Sequence, residues 1–217
     1  MPRLFVRDTL TGERMPFTPI DPPRVLMYVC GPTVYDSPHL GHARVAVFFD
    51  VVRRYLERLG YRVSYAMNVT DVDDKIIRRA REEGASFREV ADRFEREYFE
   101  AMSSLRVGLP TVVPRATEFI GEMIEFIGEL IEKGHAYVGE DGVYFDVSTF
   151  PGYGKLSKIR REELLAGARV EPGAGKRNPA DFALWKFAKP GEPSWSSPWG
   201  AGRPGWHIEC SVMVRET

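Results

Sequence analysis

The sequence predicts an α/β fold built on a parallel sheet and interrupted by an insertion of helices and a hairpin. An apolar run at residues 25–29 has the length and composition of a buried strand. A helical repeat of apolar residues follows it, and residues 63–69 then alternate in the manner of a second strand. Strand, loop, helix and strand in this order are typical of two parallel strands joined by a crossover helix.

The helices around these strands have recognisable ends. The first is predicted over about residues 42–59, where the glycine that follows supplies a stop. The next begins after the second strand, with Thr70 or Asp71 as its predicted N-cap, and ends at Gly84. The first loop of the unit therefore lies where a parallel α/β sheet binds ligands, between a strand end and a helix N-terminus.

The character of the chain changes at Ser86, which is predicted to cap a helix with an apolar stripe. A second amphipathic helix is predicted from about Thr117, with Gly134 as its stop. Two short apolar runs then flank Gly-Glu-Asp-Gly at residues 139–142, which predicts a hairpin. We expect these elements to form an inserted subdomain.

Three parts are predicted from these changes: residues 1–85 as the first half of the α/β domain, 86–177 as the insertion, and 178–217 as the start of the second half. The last part is rich in Trp, Pro and Gly, so we expect loops that end in a short helix. Residues 155–177 carry seven Lys or Arg against three Glu, which predicts a poorly ordered solvated segment rather than an RNA site.

Composition excludes several classes of protein. With a net charge of −1, the chain is not a basic coat for nucleic acid. Its hydrophobic content of 43% and charged content of 28% are those of an ordinary globular protein. We find no secretory signal and no apolar stretch that could span a bilayer, so we expect a cytoplasmic protein with no membrane partner.

The most specific short motif is His39-Leu-Gly41-His42, because it follows a strand and opens a helix. The helix start offers N–H groups and a positive dipole end to phosphate, and two imidazoles can donate hydrogen bonds to the phosphate oxygens. Gly41 would let adenine lie close to the backbone. The alternative is a Pro-Gly turn with two surface histidines, and the preceding strand favours the nucleotide site.

Four segments occur together and in a fixed order: VCGPTVYDSPHLGHAR, NVTDVDDKI, DFALWK and SPWGAGRPGWHIECS. In these motifs, which span nearly the whole chain, the sequence resembles cysteinyl-tRNA synthetase, a class I aminoacyl-tRNA synthetase. The resemblance implies a Rossmann-like catalytic domain, incomplete here, that is split by a connective insertion. It also implies ATP-dependent activation of cysteine, with Mg²⁺, and transfer of the cysteine to tRNA(Cys).

The resemblance assigns roles to individual residues. It implies that His39 and His42 are catalytic and bind ATP together with Gly41. It implies a pocket for cysteine and its adenylate lined by Gly31, Thr33, Asn68, Thr70 and Trp206. It makes Cys30 and Cys210 ligands of Zn²⁺, whereas on spacing alone they would be two separate buried thiols. The acidic residues Asp71, Asp73 and Asp74 are better explained by helix capping and the helix dipole than as metal ligands.

In this family two further zinc ligands, a lysine-rich phosphate loop and an anticodon-binding region follow these motifs, and none occurs before Thr217. The chain is therefore expected to be an amino-terminal portion with little activity alone, which a C-terminal half could complement. His207 and Glu209 could complete the zinc shell, but three ligands from one short turn would be strained.

Three other functions stay open at this point. A related ligase joins cysteine to an amino sugar in mycothiol synthesis, although GPTVYD at residues 31–36 is more like the tRNA enzyme. A binding module could keep a nucleotide or cysteine pocket without catalysis. An inert α/β domain would bind neither.

Overall fold

The computed structural model describes residues 4–158 and 175–217, which form two compact units. Among these residues, the first unit holds Thr18–Phe119 and Glu209–Thr217, and the second holds 4–17, 120–158 and 175–208. The described strands are β1 (Phe5–Arg7), β2 (Arg14–Pro16), β3 (Arg24–Val29), β4 (Arg62–Met67), β5 (Ala136–Val138), β6 (Gly142–Phe145), β7 (Phe182–Phe187) and β8 (Gly202–Pro204). The described helices are α1 (Leu40–Arg58), α2 (Asp74–Glu83), α3 (Phe87–Ser104), α4 (Ile120–Glu132) and α5 (Trp206–Glu216).

The first unit is a mixed α/β unit built on the parallel pair of β3 and β4. The two strands are in register from end to end, with Val29 opposite Met67 at their carboxyl ends. Helix α1 makes the crossover between them, so the predicted strand–helix–strand unit is confirmed. An extended segment after α3 also pairs with β4, since the Met67 N–H donates to the Val112 carbonyl at 3.1 Å.

Two apolar clusters hold this unit together. In one, α1 and α3 pack against the carboxyl-terminal halves of the two strands; its buried members are Val29, Ala46, Tyr65, Met67, Tyr98 and Met102. In the other, α2 and the start of α3 pack beneath the loops that follow the strands; its buried members are Val34, Val69, Ile76, Ala80, Val90, Ala91 and Phe94. Apolar side chains therefore fix the helices directly behind the strand ends.

The N-termini of the first two helices depart from the sequence prediction. Helix α1 begins at Leu40 rather than residue 42, because the His39 side chain serves as its N-cap. Helix α2 is capped by Asp73, whose side chain accepts from the Lys75 N–H, so the prediction of Thr70 or Asp71 was wrong. The helix thus begins two or three residues later than predicted, and Asp71 instead accepts hydrogen bonds from Thr117.

Other helix boundaries follow local chemistry. The Ser86 cap is confirmed, with a capping box to Glu89, and Gly84 ends α2 in the left-handed conformation at φ 66°. Helix α4 begins at Ile120 rather than Thr117, because a short 3-10 turn over Ala116–Glu118 precedes it.

The second unit contains a four-stranded antiparallel sheet in the order β5-β6-β7-β8. The predicted hairpin of β5 and β6 is confirmed. Strands β7 and β8 lie in the segment that was predicted to form loops, so that part of the prediction was wrong, whereas the short helix predicted at its end is confirmed as α5. Their Trp and Gly residues serve the sheet: Trp185 is fully buried, and a side chain at Gly202 would collide with the Lys186 carbonyl.

The last two sequence predictions concern the basic segment and membrane-spanning helices. Most of the basic segment 155–177 lies outside the described residues, so its mobility stays a prediction. Among the described helices, none combines the length and the apolar character that a membrane crossing requires.

Candidate active site

The candidate site is built from two loops that leave the sheet at the same edge. Residues 30–33 follow β3 and residues 68–71 follow β4. The Thr70 N–H donates to the Pro32 carbonyl at 3.0 Å, and the Val34 N–H donates to the Thr70 carbonyl at 3.2 Å. The loops thus continue the parallel pairing beyond the strands, which fixes their side chains relative to each other.

Gly31 and Asn68 form the closest approach between these loops. The Gly31 N–H donates to Asn68 Oδ1 at 2.9 Å, and a Cβ at Gly31 would lie 1.7 Å from the Asn68 carbonyl oxygen. Asn68 is fully buried, and its Nδ2 has no hydrogen-bond partner among the described residues. Only glycine fits at position 31, so the first role of both residues is to shape the wall of the site.

The two histidines of the HLGH motif cap helix α1. His39 Nδ1 accepts from the Gly41 N–H at 3.1 Å, and His42 Nδ1 accepts from the His39 N–H at 3.2 Å. Their rings stack with centroids 4.0 Å apart. Since each Nδ1 is an acceptor, each neutral ring carries its proton on Nε2, and no described residue uses either Nε2. Burial, and then the neighbouring His39, lower the pKa of His42, which favours this neutral form.

Cys30 and Cys210 lie together although 180 residues separate them in sequence. Their sulfur atoms are 3.3 Å apart, and both are free thiols. Cys210 belongs to α5, and its Sγ lies 3.8 Å from Asn68 Oδ1. A hydrogen bond from the Cys210 thiol lowers the pKa of Cys30 to about 7, whereas the same contact and burial raise the pKa of Cys210.

This sulfur pair matches zinc in chemistry but supplies only part of a coordination shell. Zinc prefers thiolates, and a closed structural site takes four ligands. Within residues 4–158 and 175–217, no three His, Cys, Asp or Glu side chains converge as a metal site would require. Glu209 is engaged with the loop after β4, because its Oε2 accepts from Thr70 Oγ1 at 2.8 Å.

Two buried acidic residues, Asp71 and Glu209, fix the position of the loop after β4. Burial raises the pKa of Glu209 to about 8, and Thr70 is its hydrogen-bond partner. Burial also raises the pKa of Asp71, whose carboxylate accepts from the Thr117 N–H at 3.0 Å and from its hydroxyl at 2.5 Å. Thr70 and Asp71 therefore tie the loop to α5 and to the 3-10 turn.

These parts surround a cleft of about 340 Å³. Its lining residues are Cys30, Gly31, Pro32, Thr33, Tyr35, His39, His42, Val45, Met67, Lys75 and Tyr98. Five of the predicted site residues are thus in the lining, and Gly41 lies next to His39 in the cap. Asn68 and Thr70 are buried at the strand end and are not among the lining residues.

Trp206 belongs to the second unit, at the first residue of α5. Its ring stacks on His207 with centroids 4.1 Å apart, and 60% of the residue is exposed. Lys75, Tyr35 and Tyr98 also line the cleft, and none of them was predicted from the sequence as a site residue. The position of Lys75 in the first turn of α2, two residues after the capping Asp73, was a signal that could have identified it.

A larger groove of about 720 Å³ runs along α3 in the first unit. Three of its charged groups are paired with one another, with Arg115 Nη2 at 2.6 Å from Glu95 Oε1 and Arg115 Nη1 at 3.3 Å from Glu118 Oε1. The cleft at the strand ends is therefore the better candidate, because its imidazole Nε2 atoms have no partner in the described chain.

Comparisons with a family model and with individual known proteins indicate the same family. The family model for the tRNA synthetases class I (C) catalytic domain matches residues 16–217. A cysteine–tRNA ligase of Pyrococcus furiosus is 61% identical over 97% of this chain, and one of Thermococcus gammatolerans is 60% identical over 96%. A cysteine–tRNA ligase of Aquifex aeolicus is 57% identical over 97%. The chain spans 43–44% of the length of these relatives.

Proposed function

Because the chain belongs to the family of class I (C) tRNA synthetase catalytic domains, we propose that it forms the cysteine-activating part of a cysteine–tRNA ligase. The complete protein would join cysteine to tRNA(Cys) with ATP, as a step of cytoplasmic protein synthesis. The observation that carries this proposal is the cleft at one edge of a parallel sheet, which is lined by the His39–His42 pair and by Cys30, the thiol in contact with Cys210.

The proposed fold of the complete domain is Rossmann-like, with the parallel pair of β3 and β4 as part of its sheet. We propose residues 86–177 as its connective insertion, between a first half at 1–85 and a second half that starts at 178. The family match supports this arrangement, as does the position of the cleft at the carboxyl ends of parallel strands.

ATP is proposed to bind against the helix α1 N-terminus. The Nε2–H groups of His39 and His42 would donate to the oxygens of its α-phosphate at the positive end of the helix dipole. The cysteine carboxylate then attacks the α-phosphorus, the new P–O bond forms, and pyrophosphate leaves with the electrons of the broken bond. The attacking carboxylate is already ionised at neutral pH, so no general base is required.

Cys30 and Cys210 would hold a zinc ion together with ligands from beyond the described residues. When bound, zinc would take the substrate's thiolate as a ligand and so favour cysteine over serine, whose hydroxyl is a harder and far less acidic donor. The chain itself contributes the two cysteine sulfur atoms, which lie 3.3 Å apart. Gly31, Thr33, Asn68, Thr70 and Trp206 are proposed to shape the surrounding pocket for cysteine and its adenylate.

Equilibrium binding of ATP tests the nucleotide part of this proposal. We expect His42→Ala to weaken ATP binding by about tenfold or more, since one donor and the orientation of His39 are lost (about 1.4 kcal/mol per tenfold). His135→Ala is a matched control, because His135 is a part-buried histidine of the second unit that bonds to Thr149. Failure of the folded wild-type chain to bind ATP would refute the proposal, as would equal affinity of the two variants.

The acceptor is tested separately. The names of the relatives favour tRNA(Cys) over an amino sugar. Cysteine-dependent exchange of pyrophosphate into ATP, followed by transfer to each acceptor, distinguishes the two in a protein of the relatives' full length. Binding of ATP without exchange in that protein would support a non-catalytic module instead.

A further inference from the structure

Lys75 is the one lining residue of the cleft that carries a permanent positive charge at neutral pH. It is the second residue of α2 and lies in the same lining as His39 and His42. Its Nζ lies 4.8 Å from the centroid of the Tyr35 ring, which also lines the cleft. Within the described part of the chain, Lys75 forms no ion pair with a carboxylate.

The backbone at Lys75 is firmly held, although its side chain is exposed. Its N–H donates to Asp73 Oδ1 at 2.9 Å, and the next residues, Ile76 and Ile77, are buried. The tyrosine ring gives the long side chain a preferred direction through a cation–π contact, typically about 0.5–1 kcal/mol at an exposed site. The Lys75 ammonium group is therefore held beside Tyr35 in the cleft lining, at a small cost in side-chain entropy.

Acidic neighbours do not neutralise this charge by direct contact. Asp73 is engaged as the N-cap of α2, and Asp36 lies 3.6 Å from Arg79 in an ion pair. The nitrogen groups of the cleft lining that can donate to an anion are thus the two imidazoles of His39 and His42 and the ammonium of Lys75. An imidazole Nε2–H offers a single directed hydrogen bond, whereas an ammonium offers charge as well, which suits a phosphate chain.

We propose that Lys75 binds the phosphate chain of the nucleotide and is the cationic member of a donor set with His39 and His42. This inference rests on the proposed function, which assigns ATP to the cleft. Lys75 forms no covalent bond in the reaction; it neutralises negative charge on the phosphates as pyrophosphate departs. The sequence motif DVDDKI thus contributes a phosphate ligand through its lysine, while its aspartates cap the helix.

The test measures binding of ATP, ADP and adenosine to the whole chain by calorimetry. We expect Lys75→Met to weaken binding of ATP and ADP by about tenfold or more, with adenosine unchanged and the salt dependence of ATP binding reduced. Lys75→Arg keeps the charge and should recover most of the affinity. Arg78→Met is the matched control, because Arg78 is an exposed cation on the same helix and is not in the cleft lining.

Four results would overturn the assignment. Unchanged ATP affinity in Lys75→Met would remove Lys75 from the site and leave the proposed function intact. Equal losses for ATP and adenosine would show that Lys75 only supports the fold, and equal losses in Arg78→Met would reduce the effect to net charge. A folded wild-type chain that binds no nucleotide would refute the proposed function as well. Should Lys75→Met fail to fold, Lys75→Gln carries the same expectations.

Discussion

Replacing Gly31 with alanine would put a methyl group against the backbone of the neighbouring strand end. The added Cβ would lie 1.7 Å from the Asn68 carbonyl oxygen and 2.9 Å from its carbonyl carbon. Ordinary contact at a Cβ begins at 3.4 Å, so the two loops would have to separate by about 1.7 Å. The obstacle is backbone on a paired strand end, which cannot move aside as a flexible side chain could.

The separation carries two costs. Overpacking of this kind destabilises proteins by about 1–3 kcal/mol. The hydrogen bond from the Gly31 N–H to Asn68 Oδ1, 2.9 Å long, would also break, and loss of the N–H partner of a buried acceptor costs about 1–3 kcal/mol. We therefore expect Gly31→Ala to lower the free energy of unfolding by about 2–6 kcal/mol.

Urea unfolding followed by circular dichroism measures this change. Gly128→Ala is the control, because a Cβ there meets nothing within 4 Å and the residue lies inside helix α4. It should be neutral or stabilising by up to about 1 kcal/mol. A Gly31→Ala chain within about 0.5 kcal/mol of wild type would show that the two loops do not approach as closely as described.

Two further predictions concern the same edge of the sheet. Thr70→Val should lower the free energy of unfolding by about 1–3 kcal/mol, because it deletes the donor to the buried Glu209 carboxyl, while Thr70→Ser should keep most of the stability in a denaturation series. Burial and the nearby His39 depress the pKa of His42 below its ordinary 6.5, so the unfolded chain takes up more protons as the pH falls through that value. Stability should therefore decline below about pH 6.5, and His42→Gln, which keeps an acceptor at the third helical position, should lose that part of the decline; identical pH profiles would contradict this.

Local sequence patterns were sufficient to predict the strand–helix–strand unit, but they were insufficient to predict which residues meet at the site. The alternation that predicts β4 and the left-handed Gly84 that ends α2 depend on a few consecutive residues, which a sequence displays directly. The Cys30–Cys210 contact joins residues 180 positions apart, and only the resemblance to a family indicated it. Glu209 is a charged residue in a helix, a position that is usually exposed. Its burial depends on a hydrogen bond from Thr70, which lies 139 positions away in sequence.

Strands β7 and β8 show a different limit. A segment rich in Trp, Pro and Gly is typical of loops, but here the glycines permit close backbone approach inside a sheet. A Cβ added at Gly202 would lie 2.3 Å from the Lys186 carbonyl oxygen. The Trp185 Nε1–H donates to the Gly200 carbonyl at 3.3 Å. These residues serve as strands only because β6 is present to pair with β7, and that pairing is not local.

The capping geometry of His39 and His42 links the stability of helix α1 to the proposed chemistry. Each Nδ1 must stay unprotonated to accept a backbone N–H, and that requirement leaves the proton on Nε2, the atom proposed to donate to phosphate. An imidazolium would supply more charge to a phosphate but would lose the cap, and the low pKa of His42 disfavours it. The histidines are thus suited to direct hydrogen bonds rather than to supply charge. A cation for the phosphate chain has to come from another residue, and in this lining that residue is Lys75.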